Sequence, residues 1–555
     1  MSLKNILMRT LNQRNKFVNF AAIAVRLKHG EQSSEQKQQH RYYRNIIGTI
    51  CISAVVINYA EKKDDKTSDE VVDAGDKIPG LPVYRADEVR KHDTKDSFWV
   101  TYKNGVYDMT SFLPEHPGGH QILNAGGLSI EPFWDVYGIH KTPKIFKLLE
   151  SHRIGNLHDD DVVQHSDGDF WVQEPDRDKR LIVKTTKPFN AEIPPNLIMQ
   201  NFDTPNEHFF VRNHMPVPEL TAENHKLKIA IEDDKSNTYK EFDLATLLRT
   251  FPAGETRATL MCAGNRRSEM GKEQSHDTNQ VKPVRGIDWQ MGAISSALWS
   301  GVYLRDVLLF CGVDANDTAG KHVIFTGSDM DATGENFNTS IPLDQALNVN
   351  GKILLATHMN GKVLPKDHGY PIRVIVPGAP AVRSVKWLQS ITISSSESNS
   401  HWHKGDYRSF NSSTTWETAD FESAPPLYSL PVTSAICHPV DGDTCTVENG
   451  FIIVRGYAYS GGGAKIVRVD VTADGGGSWR QAQLELADPA PPAQHYAWTL
   501  WRAELPAPQG LTEMEIWVKA TDSNFNTQPE RFQNIWNIRG LLSNAYHKIK
   551  VNINH

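Results

Sequence analysis

Residues 259–268 read TLMCAGNRRS, and this stretch places one cysteine, Cys262, beside small residues and two arginines. Positive charge nearby favours the thiolate, the form of cysteine that attacks a substrate or binds a metal. A lone cysteine is more often a small buried apolar residue. The Ala-Gly-Asn-Arg-Arg turn that follows Cys262 argues against that interpretation and predicts a reactive or metal-binding thiol.

Two further blocks flank this stretch, FVRNH at residues 210–214 and DHGYPIR at residues 367–373. Together the three blocks resemble the sulfite oxidase family of molybdopterin enzymes, and the resemblance runs from about Pro79 to the C-terminus. It implies a mixed α+β catalytic domain in which Cys262 supplies a thiolate to molybdenum, beside the two sulfurs of the pterin. Soft thiolate ligands suit a redox-active transition metal.

The same resemblance implies the remaining site residues. Arginine and lysine suit a phosphate because they donate charge-assisted hydrogen bonds, although each basic residue alone would more often be a surface charge. The implied pterin contacts are Phe210, Val211, Arg212, Asn213, His214, Asp329, Ser384, Val385 and Lys386, with His368 and Arg373 on the pterin phosphate. The implied substrate pocket consists of Arg212, Arg267, Trp289, Tyr407 and Arg539.

One segment departs from the family. Residues 270–280 read MGKEQSHDTNQ, which is longer than the family pattern. The segment is polar, so we expect a surface loop.

A smaller module precedes these blocks. The aromatic run FWVTY at residues 98–102 favours a strand, and Asn104-Gly105 favours a type I′ hairpin turn into residues 106–109. The motif HPGG begins at His116, and His140 follows 24 residues later, since 140 − 116 = 24. This pattern resembles cytochrome b5, which implies an α+β domain with His116 and His140 as axial haem ligands. An iron with two axial imidazoles has no vacant position, so it carries electrons.

Acidic residues dominate the stretch around the haem motif. Between Asn104 and His140 the acids are Asp108, Glu115, Glu131 and Asp135, and lysine and arginine are missing. This pattern is consistent with a solvated face of no functional consequence. Alternatively, it predicts a docking patch for a basic partner such as cytochrome c, since charge steers such encounters.

A second acidic segment separates the two modules. Residues 159–178 hold eight acids against one base, Arg177. Such a segment repels itself and stays extended. We therefore predict a haem domain at 79–158, a linker at 159–180 and a catalytic domain at 181–424.

The last part of the chain, residues 425–555, alternates short β-type runs with turns. The runs are residues 450–457, 466–471 and 513–520, and glycine triplets at 461–463 and 475–477 fall between strands. This rhythm predicts an immunoglobulin-like β-sandwich. The family resemblance implies that this domain forms a homodimer. Cys437 and Cys445 either pair or remain two separate thiols.

The N-terminus has a targeting pattern. The first thirty residues contain six bases and no acid, as a mitochondrial presequence does. The apolar run at residues 46–57 is too short for a confident permanent membrane span. We expect residues 1–72 to be removed and the enzyme released into the intermembrane space. The alternative is a single-span inner-membrane anchor.

Composition narrows the functional classes. With 39% hydrophobic and 23% charged residues, the chain is typical of multidomain globular proteins. A net charge of −7 argues against nucleic-acid binding, and none of the five cysteines forms a CxxC zinc pattern.

The resemblance implies oxidation of sulfite with water to sulfate, with two electrons passed singly through haem b to cytochrome c. A nitrate reductase is a second possibility, but it places its haem domain after the molybdenum domain and adds a flavin domain. A third is a haem electron carrier whose second module is inactive. Metal analysis would distinguish this carrier from an enzyme.

Overall fold

The computed structural model describes residues 74–116, 119–137, 140–162, 174–232, 237–272, 284–485 and 488–554. The predicted presequence and its apolar run therefore lie outside the described residues, as does most of the loop expected at 270–280. Within the described ranges, no helix is both long and apolar enough to cross a membrane.

The haem-domain sequence forms a five-stranded sheet with helices against it, as the α+β prediction requires. Its strand order is β1-β5-β4-β3-β2. The strands are β1 Val83–Tyr84, β2 Asp93–Thr94, β3 Ser97–Tyr102, β4 Gly105–Asp108 and β5 Arg153–Leu157. The α-helices are α1 Ala86–Val89, α2 Glu131–Val136 and α3 Pro143–Glu150, and 3₁₀ helices span Thr110–Glu115, Gly119–Ala125 and Asp159–Asp161.

The hairpin between β3 and β4 differs from its prediction. Tyr102 pairs with Gly105, so the two turn residues are Lys103 and Asn104, and Lys103 adopts the positive φ of 48°. Gly105 instead begins β4, where a Cβ would lie 2.3 Å from the hydroxyl of Tyr107. The predicted Asn-Gly type I′ turn is therefore wrong, because this glycine provides space for a buried tyrosine.

The catalytic domain is mixed α+β, with sheets in the orders β10-β9-β18-β13-β14, β11-β12-β15-β16 and β6-β7-β8. Strand β17 pairs with β15, and β18 runs parallel to β9. The strands are β6 Ile182–Thr186, β7 Phe189–Glu192, β8 Val211–Arg212, β9 Lys226–Glu232, β10 Asn237–Asp243, β11 Ala253–Met261, β12 Ile294–Tyr303, β13 His322–Met330, β14 Asn336–Pro342, β15 Leu354–Met359, β16 Lys362–Val363, β17 Arg373–Ile375 and β18 Leu388–Ser394.

Short helices connect these strands and position site residues at their ends. The α-helices are α4 Pro195–Ile198, α5 Leu244–Thr250, α6 Arg267–Met270, α7 Leu304–Phe310 and α8 Leu343–Leu347. The 3₁₀ helices are Asn206–His208, Val349–Gly351, Lys366–His368 and Ala381–Arg383, and a π-helix spans Trp402–Asp406.

The C-terminal domain is a two-sheet sandwich, as predicted. One sheet has the order β19-β21-β25-β24 and the other β20-β27-β26-β22-β23. Val454, Val469 and Ile516 come from both sheets and are fully buried in one core. Cys437 and Cys445 are both free thiols. The strands are β19 Thr433–His438, β20 Thr444–Thr446, β21 Phe451–Tyr459, β22 Ile466–Thr472, β23 Arg480–Gln481, β24 Gln483–Glu485, β25 Thr499–Pro506, β26 Glu513–Asp522 and β27 His547–Asn554, with a 3₁₀ helix at Phe532–Asn534.

Both ends of the predicted linker are attached to the domains beside them. Asp159 forms an ion pair of 2.6 Å with Lys77 of the haem domain. At the other end, Arg177 forms an ion pair of 2.7 Å with Asp367 of the catalytic domain. Between these ends, residues 163–173 lie outside the described residues. The eight acids of this segment therefore do not act only by mutual repulsion, since bases on the neighbouring domains neutralise some of them.

Candidate active site

A cleft with about 670 Å³ of empty space lies in the catalytic domain, and all three sequence blocks contribute to its wall. Cys262 lies in this wall with Arg212 and Tyr407, which brings the proposed metal ligand and two proposed substrate residues together. The other predicted residues that line it are Phe210, His214, Asp329, His368, Arg373, Ser384, Val385 and Lys386.

The FVRNH block contributes alternate residues to the cleft. Phe210, Arg212 and His214 line it, while Val211 is buried behind it in a separate apolar cluster. Asn213 is also buried, and its side-chain amide donates to Asp367 at 3.0 Å and accepts from Lys386. This alternation follows from extended backbone, in which successive side chains point to opposite faces. The cofactor contact predicted for all five residues stays a prediction, with the side chains of Phe210, Arg212 and His214 in the cleft wall.

Cys262 lies immediately after strand β11, at the point where the chain turns. Its backbone N–H donates to the carbonyl of Ala293 at 2.9 Å, and its side chain is buried. The side chain of Arg267 lies beside this turn in space that two glycines leave open. A Cβ on Gly264 would lie 2.4 Å from Nη2 of Arg267, and a Cβ on Gly286 would lie 2.8 Å from its Cζ. Burial lowers the pKa of Arg267 to about 10, so the guanidinium stays charged at neutral pH.

Arg266 serves the fold, and the sequence did not distinguish it from Arg267. Its side chain is fully buried and donates to Glu269 at 2.6 Å and to the carbonyl of Ala545 at 2.7 Å. It also donates to the carbonyl of Ser434 at 3.2 Å. Arg266 therefore joins the catalytic turn to the C-terminal sandwich.

Replacing Arg266 with leucine should lower the free energy of unfolding of this part of the molecule by about 3–5 kcal/mol, because a buried acceptor and carboxylate lose their donor. Urea unfolding followed by tryptophan fluorescence measures this loss. The exposed Arg249→Leu is the matched control and should change stability by less than about 0.5 kcal/mol. Equal effects of both variants would refute the structural role of Arg266.

Three predicted pocket residues, Arg267, Trp289 and Arg539, are not among the residues that line the cleft in the described part of the chain. Trp289 is fully buried and packs in the same apolar cluster as Cys262. Arg539 is ion-paired with Asp406, and its carbonyl accepts from Arg267 Nε at 3.1 Å. Arg267 and Arg539 thus stand behind the wall beside Tyr407, where their charge acts at longer range.

Tyr407 contacts His214, a cleft residue for which the family resemblance implies a contact with the pterin. Its hydroxyl lies 3.0 Å from Nε2 of His214, whose ring stacks on Phe337 at 4.8 Å. Burial raises the pKa of Tyr407 to about 12. Burial and then Arg212 hold the pKa of His214 well below its usual value. A neutral phenol can therefore donate to a neutral imidazole at this point.

The cleft also holds polar atoms that fit a bound pterin and its phosphate. Asp329 Oδ1 and Arg373 Nε are buried and have no hydrogen-bond partner among the described residues. Burial raises the pKa of Asp329 and lowers that of Lys386, so each is pushed toward its neutral form. A group with amine donors and an anionic tail would satisfy both orphaned atoms. The donor set therefore fits a pterin phosphate, and Cys262 is placed where it could supply a sulfur ligand to the metal of that group.

Sequence reasoning did not assign roles to Phe337, Asp367 or Arg177. Asp367 is the first residue of the DHGYPIR block, and its place in that block was the sequence signal that could have revealed its role. In the structure it accepts hydrogen bonds from both Arg177 and Asn213. Phe337 lies on β14 and supports His214, a long-range contact that no local sequence pattern reveals.

The two predicted haem ligands face each other. The ring centroids of His116 and His140 are 6.2 Å apart, and their planes are within 6° of parallel. This separation between ring centres matches the sum of two metal–imidazole bonds of about 2 Å each and, for each ring, the distance from its metal-binding nitrogen to its centre. Nδ1 of His140 lies 2.8 Å from the carbonyl of Tyr137, which orients Nε2 toward the iron position. The pair therefore fits a haem iron.

One of the four acids of the predicted acidic face, Asp135, is neutralised by a lysine. Glu115 is exposed, but Asp135 is ion-paired with Lys141. Asp108 accepts from the backbone of Thr110 at 3.0 Å, and Glu131 accepts from Ser129 at 3.2 Å. Local bonds thus occupy three of the four carboxylates.

Comparisons with known proteins agree with this three-domain arrangement. A cytochrome b5-like haem/steroid binding domain matches residues 85–158, an oxidoreductase molybdopterin binding domain matches 214–402, and a Mo-co oxidoreductase dimerisation domain matches 424–554. The sulfane dehydrogenase SoxCD from Paracoccus pantotrophus has a TM-score of 0.51 at 23% identity, covering 69% of this chain and 90% of that one. That likeness shows the fold alone.

The fold and the site define a molybdopterin-dependent oxidoreductase that carries its own cytochrome b5-type haem domain. The mitochondrial sulfite oxidase of Drosophila melanogaster is 47% identical over 482 residues, covering 85% of this chain and 81% of that protein. The human mitochondrial sulfite oxidase is 42% identical over 473 residues, covering 84% of each. The chain belongs to the sulfite oxidase family.

Proposed function

We propose that this protein oxidises sulfite to sulfate in the Cys262 cleft and passes the electrons through its haem to cytochrome c. Sulfite and one water yield sulfate, two protons and two electrons, so a one-electron acceptor must be used twice. The observation that carries the proposal is that Cys262, Arg212 and Tyr407 line one cleft with the orphaned Asp329 and Arg373. Molybdenum on the pterin supplies the two-electron chemistry when bound.

The residues of the cleft bind and orient the anion. Arg212 is anchored by donating Nη1 to Asn190 at 3.2 Å, and its guanidinium lies in the cleft wall. Arg267 adds positive charge from behind the wall, whereas the charge of Arg539 is offset by its ion pair with Asp406. Tyr407 keeps its proton, and its hydroxyl can donate that proton to a substrate oxygen when the Nε2–H tautomer of His214 donates to the phenol oxygen. Fixed donors of this kind favour an anion without reorganising during the reaction.

Neutralising Arg212 tests the anion site. Arg212→Gln should lower kcat/KM for sulfite about ten- to a hundredfold, because a charge-assisted hydrogen bond is worth roughly 1.5–3 kcal/mol. Steady-state kinetics with a small artificial acceptor measure this loss directly. Arg305→Gln is the control, because Arg305 lies partly exposed outside the cleft wall. If kcat/KM for sulfite is unchanged in Arg212→Gln, Arg212 is not part of the anion site.

Cellular location and partners follow from the family and the N-terminus. The relatives named above are mitochondrial, and the basic, acid-free first thirty residues favour the same organelle for this chain. Release into the intermembrane space would bring the haem domain to cytochrome c. Exposed Glu115, directly before His116 of the haem motif, supports docking of a basic partner. The dimerisation domain at residues 424–554 supports a homodimer.

The two alternative functions lack support. The haem domain precedes the molybdopterin domain, opposite to the order expected for a nitrate reductase. An inactive second module would not need a buried thiol and charged residues gathered around one cleft.

A further inference from the structure

The C-terminal end of the acidic linker forms part of the wall of a second cavity, which lies beside the Cys262 cleft. This cavity has about 760 Å³ of empty space, and linker residues 175–178 line it. Phe209, Asp367 and His368 line both this cavity and the cleft. The linker end and the proposed cofactor site therefore share a wall, and Asp367 is part of it.

Arg177, in this linker end, binds Asp367 through two parallel hydrogen bonds. Its Nε donates to Oδ2 at 2.7 Å and its Nη2 donates to Oδ1 at 2.8 Å, the geometry in which a guanidinium matches a carboxylate. Only 12% of the Arg177 side chain and 8% of the Asp367 side chain are exposed. Burial raises the pKa of Asp367, but the bonds and charge of Arg177, helped by Lys386, outweigh burial and hold that pKa below its usual range. The two residues thus form a largely buried ion pair.

Contacts with the catalytic domain also hold Arg177 itself in place. Its Nη2 donates to Glu174, and Oε1 of Glu174 accepts from the backbone N–H of Val217 at 3.1 Å. Its guanidinium lies 4.0 Å from the ring centre of Phe189. Because a guanidinium is planar and rigid, one that is held on several sides can fix the carboxylate that it binds.

Asp367 is bonded in turn to two residues for which the family resemblance implies a contact with the pterin. Its Oδ1 accepts from the side-chain amide of Asn213 at 3.0 Å, and its carbonyl accepts from Nζ of Lys386 at 2.9 Å. Lys386 also donates to the side-chain oxygen of Asn213, so the three residues form a closed ring of hydrogen bonds. The next residue in the chain, His368, is one of the two implied ligands of the pterin phosphate.

We propose that Arg177 is a positioning residue for the pterin phosphate. Its guanidinium balances the charge of Asp367 and fixes the ring of hydrogen bonds that Asp367 forms with Asn213 and Lys386. The inference rests on the proposed function, which places the pterin in the Cys262 cleft. Without Arg177, the cleft wall would hold a buried carboxylate that lacks its cation, which is costly in itself. That carboxylate would also repel a phosphate bound beside it.

The rate at which the holoenzyme releases its pterin tests this proposal. Gel filtration at intervals removes the released cofactor, and the retained pterin is measured by its fluorescence after oxidation, relative to haem absorbance. Arg177→Gln should release the pterin about ten- to a hundredfold faster than the wild type, which is what loss of a residue that orients ligands typically costs. Arg180→Gln is the matched control, because Arg180 pairs with Asp178 at 2.6 Å in the same linker end but is 57% exposed. It should release the pterin at the wild-type rate.

A double variant shows whether Arg177 acts through the charge of Asp367. In Arg177→Gln/Asp367→Asn no unpaired carboxylate remains, so this protein should release the pterin more slowly than Arg177→Gln does. A contact that served only the fold would instead make two substitutions at least as harmful as one. Release from the double variant that is as fast as from Arg177→Gln, or faster, would overturn the proposal.

The remaining outcomes separate this proposal from the proposed function. Arg373→Gln removes the other implied ligand of the phosphate and should also speed release. If it does so while Arg177→Gln matches the wild type, the positioning role is wrong and the cofactor site stands. If Arg373→Gln also releases the pterin at the wild-type rate, the assignment of this cleft to the pterin is wrong.

Arg177→Lys decides the matter if Arg177→Gln does not fold. Lysine keeps the positive charge but cannot form the two parallel bonds. Faster release than from the wild type would support the positioning role, and release at the wild-type rate would overturn it.

Discussion

Replacing Cys262 with serine is expected to abolish sulfite oxidation while leaving the haem spectrum intact. Cys262 offers a sulfur atom in the cleft, where the other polar side chains present nitrogen and oxygen atoms. A serine hydroxyl is a poor substitute for a soft thiolate on a redox-active metal. Activity should fall at least about a hundredfold, at the upper end of what loss of a metal-site residue costs. The haem ligands belong to another domain and should be unaffected.

Cys311→Ser provides the matched control, because Cys311 is a partly buried free thiol outside the cleft. Steady-state turnover and molybdenum content would be measured for both variants. Substantial sulfite oxidation by Cys262→Ser would refute the proposal that Cys262 binds molybdenum, whatever the activity of Cys311→Ser.

The second large effect is expected from the haem ligands. Replacing His116 or His140 with alanine should eliminate cytochrome c reduction, because an iron that lacks one of two facing imidazoles loses the site that holds it. Sulfite turnover with a small acceptor that draws electrons directly from molybdenum should survive. The two assays, run on the same preparation, separate electron transfer from sulfite chemistry.

The control is His152→Ala, because His152 is a histidine of the same domain that is not a proposed haem ligand. Its ring lies 5.9 Å from that of Phe112. It should retain both activities. If both activities fell equally in the ligand variants with molybdenum still bound, the haem would be required for catalysis or folding, and its role as a conduit alone would be wrong.

The sequence predicted the parts of this molecule that depend on local pattern. Strand rhythm and turn glycines indicated the C-terminal sandwich, and the three blocks indicated which residues meet at the cleft. The two histidines were singled out by their motif and spacing, and in the structure their rings are nearly parallel with centroids 6.2 Å apart.

Features that depend on long-range contacts were beyond the sequence. Arg266 and Arg267 are adjacent, yet one joins two domains and the other stands beside Cys262. Nothing local distinguishes them, because the acceptors that set them apart lie far along the chain: the carbonyls of Ser434 and Ala545 accept from Arg266, and that of Arg539 accepts from Arg267. The pairing of Arg539 with Asp406, 133 residues away, likewise changes the charge each residue presents.

Anaerobic addition of sulfite to the purified, oxidised protein tests directly whether electrons from sulfite reach the protein's own haem, with the haem absorbance as the readout. Both cofactors must be present, so molybdenum and haem are quantified first. The proposed path from the molybdenum site to the haem predicts that sulfite alone reduces the protein's own haem, and that Cys262→Ser abolishes this reduction. A haem that stays oxidised with sulfite, in molybdenum-loaded protein whose haem dithionite readily reduces, would contradict it.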